Sequence, residues 1–138
     1  FARILELAEN YDKPVIIHSR WAWREAFEMV KSTGAMRAVF HWYSGPLDVL
    51  REIIEQGFYI SATPAAEFSK AHQMVIKEVP LERLLLETDS PVKYRGIVST
   101  PSHILKTLKA VAQLKEIDES RLAEITTKNA TNIFRIKI

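Results

Sequence analysis

The chain has 138 residues, of which 47% are hydrophobic, so we expect residues 1–138 to form one domain with a continuous core. It contains no cysteine, which excludes a disulfide framework and thiolate metal ligands. The net charge of +2 is too small to indicate a surface coated by nucleic acid, and no apolar run approaches the ~20 residues of a membrane span. We therefore expect a cytoplasmic protein without a membrane partner.

The first residues carry apolar side chains at helical spacing, at positions 1, 4, 5 and 8, with no N-cap before them. Because this looks like an entry in mid-helix, we expect the natural protein to have an upstream portion. Four short apolar runs then begin near positions 14, 38, 58 and 84 and predict buried strands. Their intervals of 20 to 26 residues fit βα units with short loops, which predicts a parallel sheet.

Helical patterns separate and follow these strands. Between the strands they cover residues 22–32, 46–56 and 66–78. After the fourth strand we expect helices over residues 101–115 and 119–126, and a last short helix at 129–134 that packs an aromatic side chain inward.

Three of the four predicted strands end at a side chain that can bind a metal ion, namely His18, His41 and Asp89. Neutral imidazole suits zinc and similar metals, and carboxylate oxygen also suits Mg or Mn. Each candidate follows a different strand, so a barrel-like sheet would bring them to one rim, where active sites of parallel α/β folds form. A single histidine at a strand end is more often structural, and it is the matched positions that favour a metal site.

The other two histidines fit no such pattern. His72 lies in the middle of a predicted helix, where we expect it on a solvated face. His103 lies in the first turn of the helix after Pro101, where a structural role is expected.

Three stretches carry a resemblance to a known family: IHSR at residues 17–20, FHWYSG at 40–45 and LLLETDSP at 84–91. In order and spacing they resemble the TatD family of metal-dependent hydrolases, which are amidohydrolase-type (β/α)8 barrels and include many deoxyribonucleases. NATNIF at residues 129–134 also resembles that family's closing segment. The chain departs from the family at Trp42-Tyr43, where many members have Cys-Phe, and at residues 99–101, where many have Asn-Glu-Pro.

The resemblance implies that the chain is incomplete as a barrel. The family pattern has a His-x-His on its first strand and a metal-bridging Glu on its fourth, and this chain has neither. The implied fold class is α/β of the (β/α)8 TIM-barrel type, with only the C-terminal half, strands five to eight, present. Because a full barrel needs about 250 residues, we expect a missing N-terminal half or a second chain to complete it.

Roles follow from the resemblance by position. His18 and His41 would bind one divalent ion, while Asp89 would bind the other and orient or deprotonate the attacking water. The complete site would hold two ions of Mg, Mn or Zn. Arg20 would contact a substrate phosphate, which its planar guanidinium suits, although a surface ion pair is the alternative. Three further residues would shape the substrate pocket: Ser44, Gly45 and Ser90.

The implied function is hydrolysis of DNA phosphodiester bonds by a metal-activated water. Two alternatives stay open at this point. One is a related barrel hydrolase that acts on a small ester, amide or lactone. The other is a half-barrel without catalysis that self-associates through its open strand edges.

Overall fold

The computed structural model describes residues 1–34 and 37–137. The helices are α1 (Ala2–Asn10), α2 (Trp23–Ser32), α3 (Leu47–Glu55), α4 (Lys70–Glu78), α5 (Ile104–Lys115) and α6 (Glu119–Phe134). The strands are β1 (Val15–His18), β2 (Ala38–His41), β3 (Tyr59–Ala62), β4 (Leu84–Leu86), β5 (Lys93–Tyr94) and β6 (Ile97–Val98). Short 3-10 helices occupy Pro64–Glu67, Leu81–Arg83 and Pro101–His103. None of the helices described is both long and apolar enough to cross a membrane.

The first four strands form one parallel sheet in the order β1-β2-β3-β4. This confirms the predicted α/β class, with helical structure directly after each of β1, β2 and β3 and after the β5-β6 hairpin that follows β4. The register pairs His18 with His41 and His41 with Ser61. Since parallel strands align their carboxyl ends, these three side chains lie along one rim of the sheet.

The two faces of the sheet are covered differently. On one face, Ile17, Phe40 and Ile60 belong to the main core, which they form with the buried sides of the surrounding helices. On the other face, Val39 and Leu85 pack against Ile133 of α6 in a smaller cluster. Each such large apolar side chain contributes about 1.5–3 kcal/mol when it is fully buried.

Helix α6 is continuous, whereas the sequence predicted two helices with a break between them. Asn129, inside this helix, is buried, and its side-chain Nδ2 donates to the carbonyls of Leu81 at 2.7 Å and Leu84 at 2.8 Å. Neither glycine nor proline lies between Glu119 and Phe134, so nothing in the backbone interrupts the helix. Phe134 packs partly buried against the smaller cluster, as predicted for the aromatic side chain of this segment.

Two other predicted helices begin later than expected. The pattern over residues 66–78 divides into the 3-10 helix Pro64–Glu67 and α4, whose N-cap Ser69 accepts from the backbone N–H of His72 at 3.4 Å. The helix predicted from residue 101 starts as a 3-10 turn. There the Thr100 backbone N–H donates to His103 Nδ1 at 3.4 Å, which gives this histidine a structural contact.

The hairpin of β5 and β6 was not predicted, because each strand has only two residues and shows no periodicity. Its two-residue turn has positive φ at both positions, Arg95 at 51° and Gly96 at 83°. This is the pattern of a type I′ turn, whose twist matches that of paired strands.

The prediction for His72 was wrong, since this side chain is completely buried. Its Nδ1 donates to the carbonyl of Tyr43 at 2.8 Å, and its Nε2 accepts from the Thr63 N–H at 3.3 Å. The helical spacing itself contained the signal, because positions 72, 75 and 76 share one face and Val75 and Ile76 are buried. Burial lowers the pKa of His72 to about 4, so the imidazole is neutral.

The depressed pKa of His72 makes stability depend on pH. With a folded-state pKa of about 4 and an ordinary value of 6.5, the unfolded state takes up a proton that the folded state refuses. The stability that the neutral His72 contributes is fully present above pH 6.5 and is lost as pH falls toward 4. This loss lowers the free energy of unfolding by about 3 kcal/mol. His72→Asn keeps an N–H donor near Tyr43 O but does not titrate. In urea titrations of this variant, the free energy of unfolding should lose the part of its pH dependence that His72 causes. Parallel pH profiles for wild type and variant would contradict this.

Asn129 provides a second test of the fold. Asn129→Ala leaves two buried carbonyls without their donor, so urea unfolding should show a loss of about 1–3 kcal/mol. The matched control is Asn132→Ala, an exposed position on the same helix, which should change stability by less than about 0.5 kcal/mol. An equal decrease in the free energy of unfolding in the two variants would show that the hydrogen bonds from Asn129 to the two carbonyls do not stabilise the fold.

Candidate metal centre

The parallel register brings the predicted histidines together at the carboxyl rim. His18 ends β1 and His41 ends β2, and the two rings lie 5.4 Å apart between centroids with a tilt of 38°. The carboxylates of Glu87 and Asp89 follow β4 at the same rim. Three strand ends therefore supply imidazole and carboxylate groups to one region.

His41 lies between the two carboxylates, and its side chain is only 9% exposed. Its Nδ1 is 2.6 Å from Glu87 Oε1, and its Nε2 is 3.4 Å from Asp89 Oδ2. Burial alone would lower the pKa of the imidazole, but the hydrogen bond and charge of Glu87, together with Asp89, outweigh burial and raise the His41 pKa.

Glu87 is held by a second donor from the neighbouring strand. The hydroxyl of Ser61, buried at the end of β3, donates to Glu87 Oε1, and its oxygen accepts from the Trp42 N–H at 3.3 Å. An ionised Glu87 can only accept, so the proton of the neutral His41 ring lies on Nδ1. That tautomer leaves the Nε2 lone pair on the side of Asp89.

Asp89 is positioned by its own backbone and by the hairpin. Its φ of 50° lies in the left-handed region, which aspartate tolerates better than most residues. The hydroxyl of Tyr94 in β5 donates to Asp89 Oδ2 at 3.3 Å. Burial raises the pKa of Tyr94 above its usual range, so this hydroxyl stays protonated and remains a donor.

The chemistry of these donors fits a divalent cation. An imidazole nitrogen whose opposite ring nitrogen is hydrogen-bonded to a carboxylate is the usual arrangement of a histidine ligand, and here it faces a carboxylate oxygen. The three predicted ligands, His18, His41 and Asp89, are not as close together as the His41–Asp89 pair alone. Within residues 1–34 and 37–137, no group of three or more histidine, aspartate or glutamate side chains could hold a metal ion. His18, which is exposed, lies beside the His41–Asp89 pair, and its role as the third ligand stays a prediction.

The residues predicted to contact substrate divide into two groups. Arg20 and Ser44 line a cavity of about 250 Å³ that also includes His18, so they lie next to the candidate centre. Gly45 and Ser90 have structural contacts, and their contact with substrate stays a prediction. A Cβ at Gly45 would lie 2.6 Å from the Trp23 ring, and the Ser90 hydroxyl donates to the Ser99 carbonyl at 2.9 Å.

Three residues of this centre were missed as site residues by the sequence analysis: Glu87, Ser61 and Tyr94. Glu87 belongs to the acid pair after the fourth strand, and Ser61 ends the third strand, so their matched rim positions were a usable signal. Tyr94 depends on an unpredicted hairpin, and no pattern in the sequence indicates its contact with Asp89.

Comparison with known proteins identifies a family and several relatives of this chain. The model of the TatD related DNase family matches residues 1–135. An uncharacterised metal-dependent hydrolase, YabD of Bacillus subtilis, is 35% identical over 144 residues, which cover 99% of this chain and 56% of the relative. Human deoxyribonuclease TATDN3 is 31% identical over 134 residues, covering 96% of this chain and 49% of the relative.

A solved structure is similar as well. The TatD homologue YJJV of Escherichia coli superimposes with a TM-score of 0.88 at 26% identity, covering 96% of this chain and 54% of that protein. The chain thus spans about half the length of the curated relatives it matches. Because the family model matches nearly every residue, the chain belongs to the TatD related DNase family.

Proposed function

We propose that the chain forms part of the catalytic centre of a metal-dependent hydrolase that cuts phosphodiester bonds in DNA. The observation that carries this proposal is the His41 imidazole, fixed by Glu87 on one nitrogen and directed at Asp89 with the other. The names of its relatives support it, since one is called a metal-dependent hydrolase and another a deoxyribonuclease.

The ligand groups favour a divalent cation as the cofactor. His18 and His41 would supply imidazole nitrogens and Asp89 a carboxylate oxygen, a set compatible with Mg, Mn or Zn. When bound, such an ion lowers the pKa of a water molecule to about 7 and stabilises charge on phosphoryl oxygens. A pair of ions would need further ligands beyond these three.

The chain's own residues would act around that water. Asp89 accepts a proton from the attacking water, and the Tyr94 hydroxyl keeps the carboxylate oriented. Arg20, exposed beside His18, pairs its planar guanidinium with a phosphate of the substrate. The loops that contain Ser44-Gly45 and Ser90 form walls of the substrate pocket.

We also propose that the four strands are the C-terminal half of a (β/α)8 barrel, completed by an upstream segment or by a second chain. The exposed surface supports this, because Ile16 in the edge strand β1 is 62% exposed. The same face carries a mostly apolar cavity of about 470 Å³ lined in part by Val39 and Leu85. Additional strands would cover this face and could bring further ligands to the rim. A cytoplasmic location stays a prediction.

A hydrolysis assay tests the proposed reaction. A labelled single-stranded oligodeoxynucleotide should be cut in the presence of Mn²⁺ or Mg²⁺, and EDTA should abolish cutting. Asp89→Asn, which removes the proton acceptor, should lower the rate at least about 100-fold. The control Glu124→Gln changes an exposed carboxylate on α6 that pairs with Arg121, and it should keep the wild-type rate.

Three results would contradict the proposal: no cutting in Mn²⁺ or Mg²⁺, cutting that persists in EDTA, or equal rates for the Asp89→Asn variant and the wild type. Hydrolysis of a small ester, amide or lactone without any cutting of DNA would assign the centre to the other hydrolase class.

A substitution of Glu87 should lower the affinity for the metal ion rather than disrupt the fold. Glu87→Gln keeps the size of the side chain but removes the anionic acceptor of the His41 Nδ1 proton. Loss of such a supporting carboxylate lowers metal affinity by about 10- to 100-fold, which a calorimetric titration with Mn²⁺ measures. Glu82→Gln, an exposed position before β4, is the matched control and should bind Mn²⁺ as the wild type does. Unchanged affinity in Glu87→Gln would rule out this positioning role.

A further inference from the structure

A cavity next to the candidate metal centre is lined by an unusual number of aromatic side chains. Its volume is about 250 Å³, and its lining includes His18, Arg20, Trp21, Trp23, Trp42 and Ser44. This lies just below the range of about 300–1,000 Å³ that holds drug-sized ligands, so the cavity suits one ring system. It contains all three tryptophans of the chain.

Trp21 is the exposed member of this group. Its side chain is 83% exposed, which makes it the most exposed of the large apolar residues that the structure describes. Its φ of 65° is a conformation that bulky residues rarely adopt and that is concentrated at functional sites. Its ring is tilted by 59° to that of Trp23, at 5.5 Å between centroids, so the two rings do not stack face to face.

Trp23 and Trp42 are held in place by the protein. A Cβ at Gly45 would lie 2.6 Å from Trp23, so the absence of a side chain there lets the indole pack closely on the backbone. Trp42 contacts Tyr94 at 5.4 Å between ring centroids and meets the His41 ring edge-on at 6.4 Å. The cavity is therefore partly rigid and is continuous with the rim where His41 lies.

The charge beside these rings suits a nucleotide. Arg20, at the same cavity, offers a guanidinium for a phosphate. Every nucleobase has a π-face, and aromatic stacking with an adjacent cation is the usual way in which proteins hold single strands without reading their sequence. A base inserted between such side chains must leave its own stack, which favours a single strand over a duplex.

We propose that Trp21, Trp42 and Arg20 form a subsite that stacks one nucleobase of single-stranded DNA and contacts its phosphate, next to the bond that is cut. This rests on the proposed function for the location of the cut bond, but the binding itself does not depend on hydrolysis. The subsite makes Trp21 a specificity-determining residue for single strands with intact bases.

Binding measured in EDTA separates this proposal from catalysis. Fluorescence anisotropy would compare a labelled thymidine oligonucleotide with an abasic strand of the same length, which keeps every phosphate but has no bases. Wild type should bind the thymidine strand more tightly. Trp21→Ala should weaken that binding by about 5- to 150-fold and leave the abasic strand unaffected.

Two variants guard against a trivial loss of binding. Trp21→Phe keeps an aromatic face and should retain most of the preference for the thymidine strand. Tyr11→Ala removes another exposed aromatic side chain, at the end of α1 and outside the lining of this cavity, and should behave as wild type. Far-UV circular dichroism of each variant checks that it is folded.

The proposal is overturned if wild type binds the two strands equally or binds neither, or if Trp21→Ala weakens binding to both by the same factor. Base-dependent binding without any cutting in Mn²⁺ would support the subsite and contradict only the proposed hydrolysis. Cutting without base-dependent binding would support the proposed hydrolysis and contradict the subsite.

Discussion

The placement of His41 between Glu87 and Asp89 is the interaction on which the rest of the site depends. It requires β2 and β4 to end at the same level, with β3 between them supplying Ser61 to Glu87. A shift of one residue in any of these strands would turn its side chain to the opposite face of the sheet. The site is therefore a direct product of the parallel register.

Buried polar contacts maintain that register from outside the sheet. The Asn129 amide joins α6 to the 3-10 helix Leu81–Arg83 through the Leu81 carbonyl and to the start of β4 through the Leu84 carbonyl. The neutral imidazole of His72 joins α4 to the segment after β2 and to Thr63, immediately after β3. Since an unpaired buried polar group costs about 1–3 kcal/mol, these side chains specify how the helices sit as well as adding stability.

The sheet and its rim could be predicted because their signals are local. Apolar runs followed by His18, His41 and Asp89 define where strands end, and parallel order then brings those ends together. The orientation of a histidine within a helix is harder to predict: the middle of a helix usually exposes a polar side chain, but His72 shares its face with the buried Val75 and Ile76.

Contacts that depend on an irregular turn or on packing between separate segments were beyond prediction. The pairing of Tyr94 with Asp89 needs a hairpin of two-residue strands, and the close approach of Trp23 to Gly45 depends on packing between segments. The contact of Asn129 could not be predicted either. Asparagine is typical of helix ends, but here it lies inside a helix and makes a long-range hydrogen bond.

We infer that the carboxyl rim holds a divalent metal ion through His41 and Asp89. The most direct measurement is elemental analysis of protein purified without chelator, comparing wild type with a folded His41→Ala variant. We expect a divalent metal bound to the wild-type chain and its loss from the variant. A wild type that binds no divalent metal, or equal metal contents in the two proteins, would contradict it.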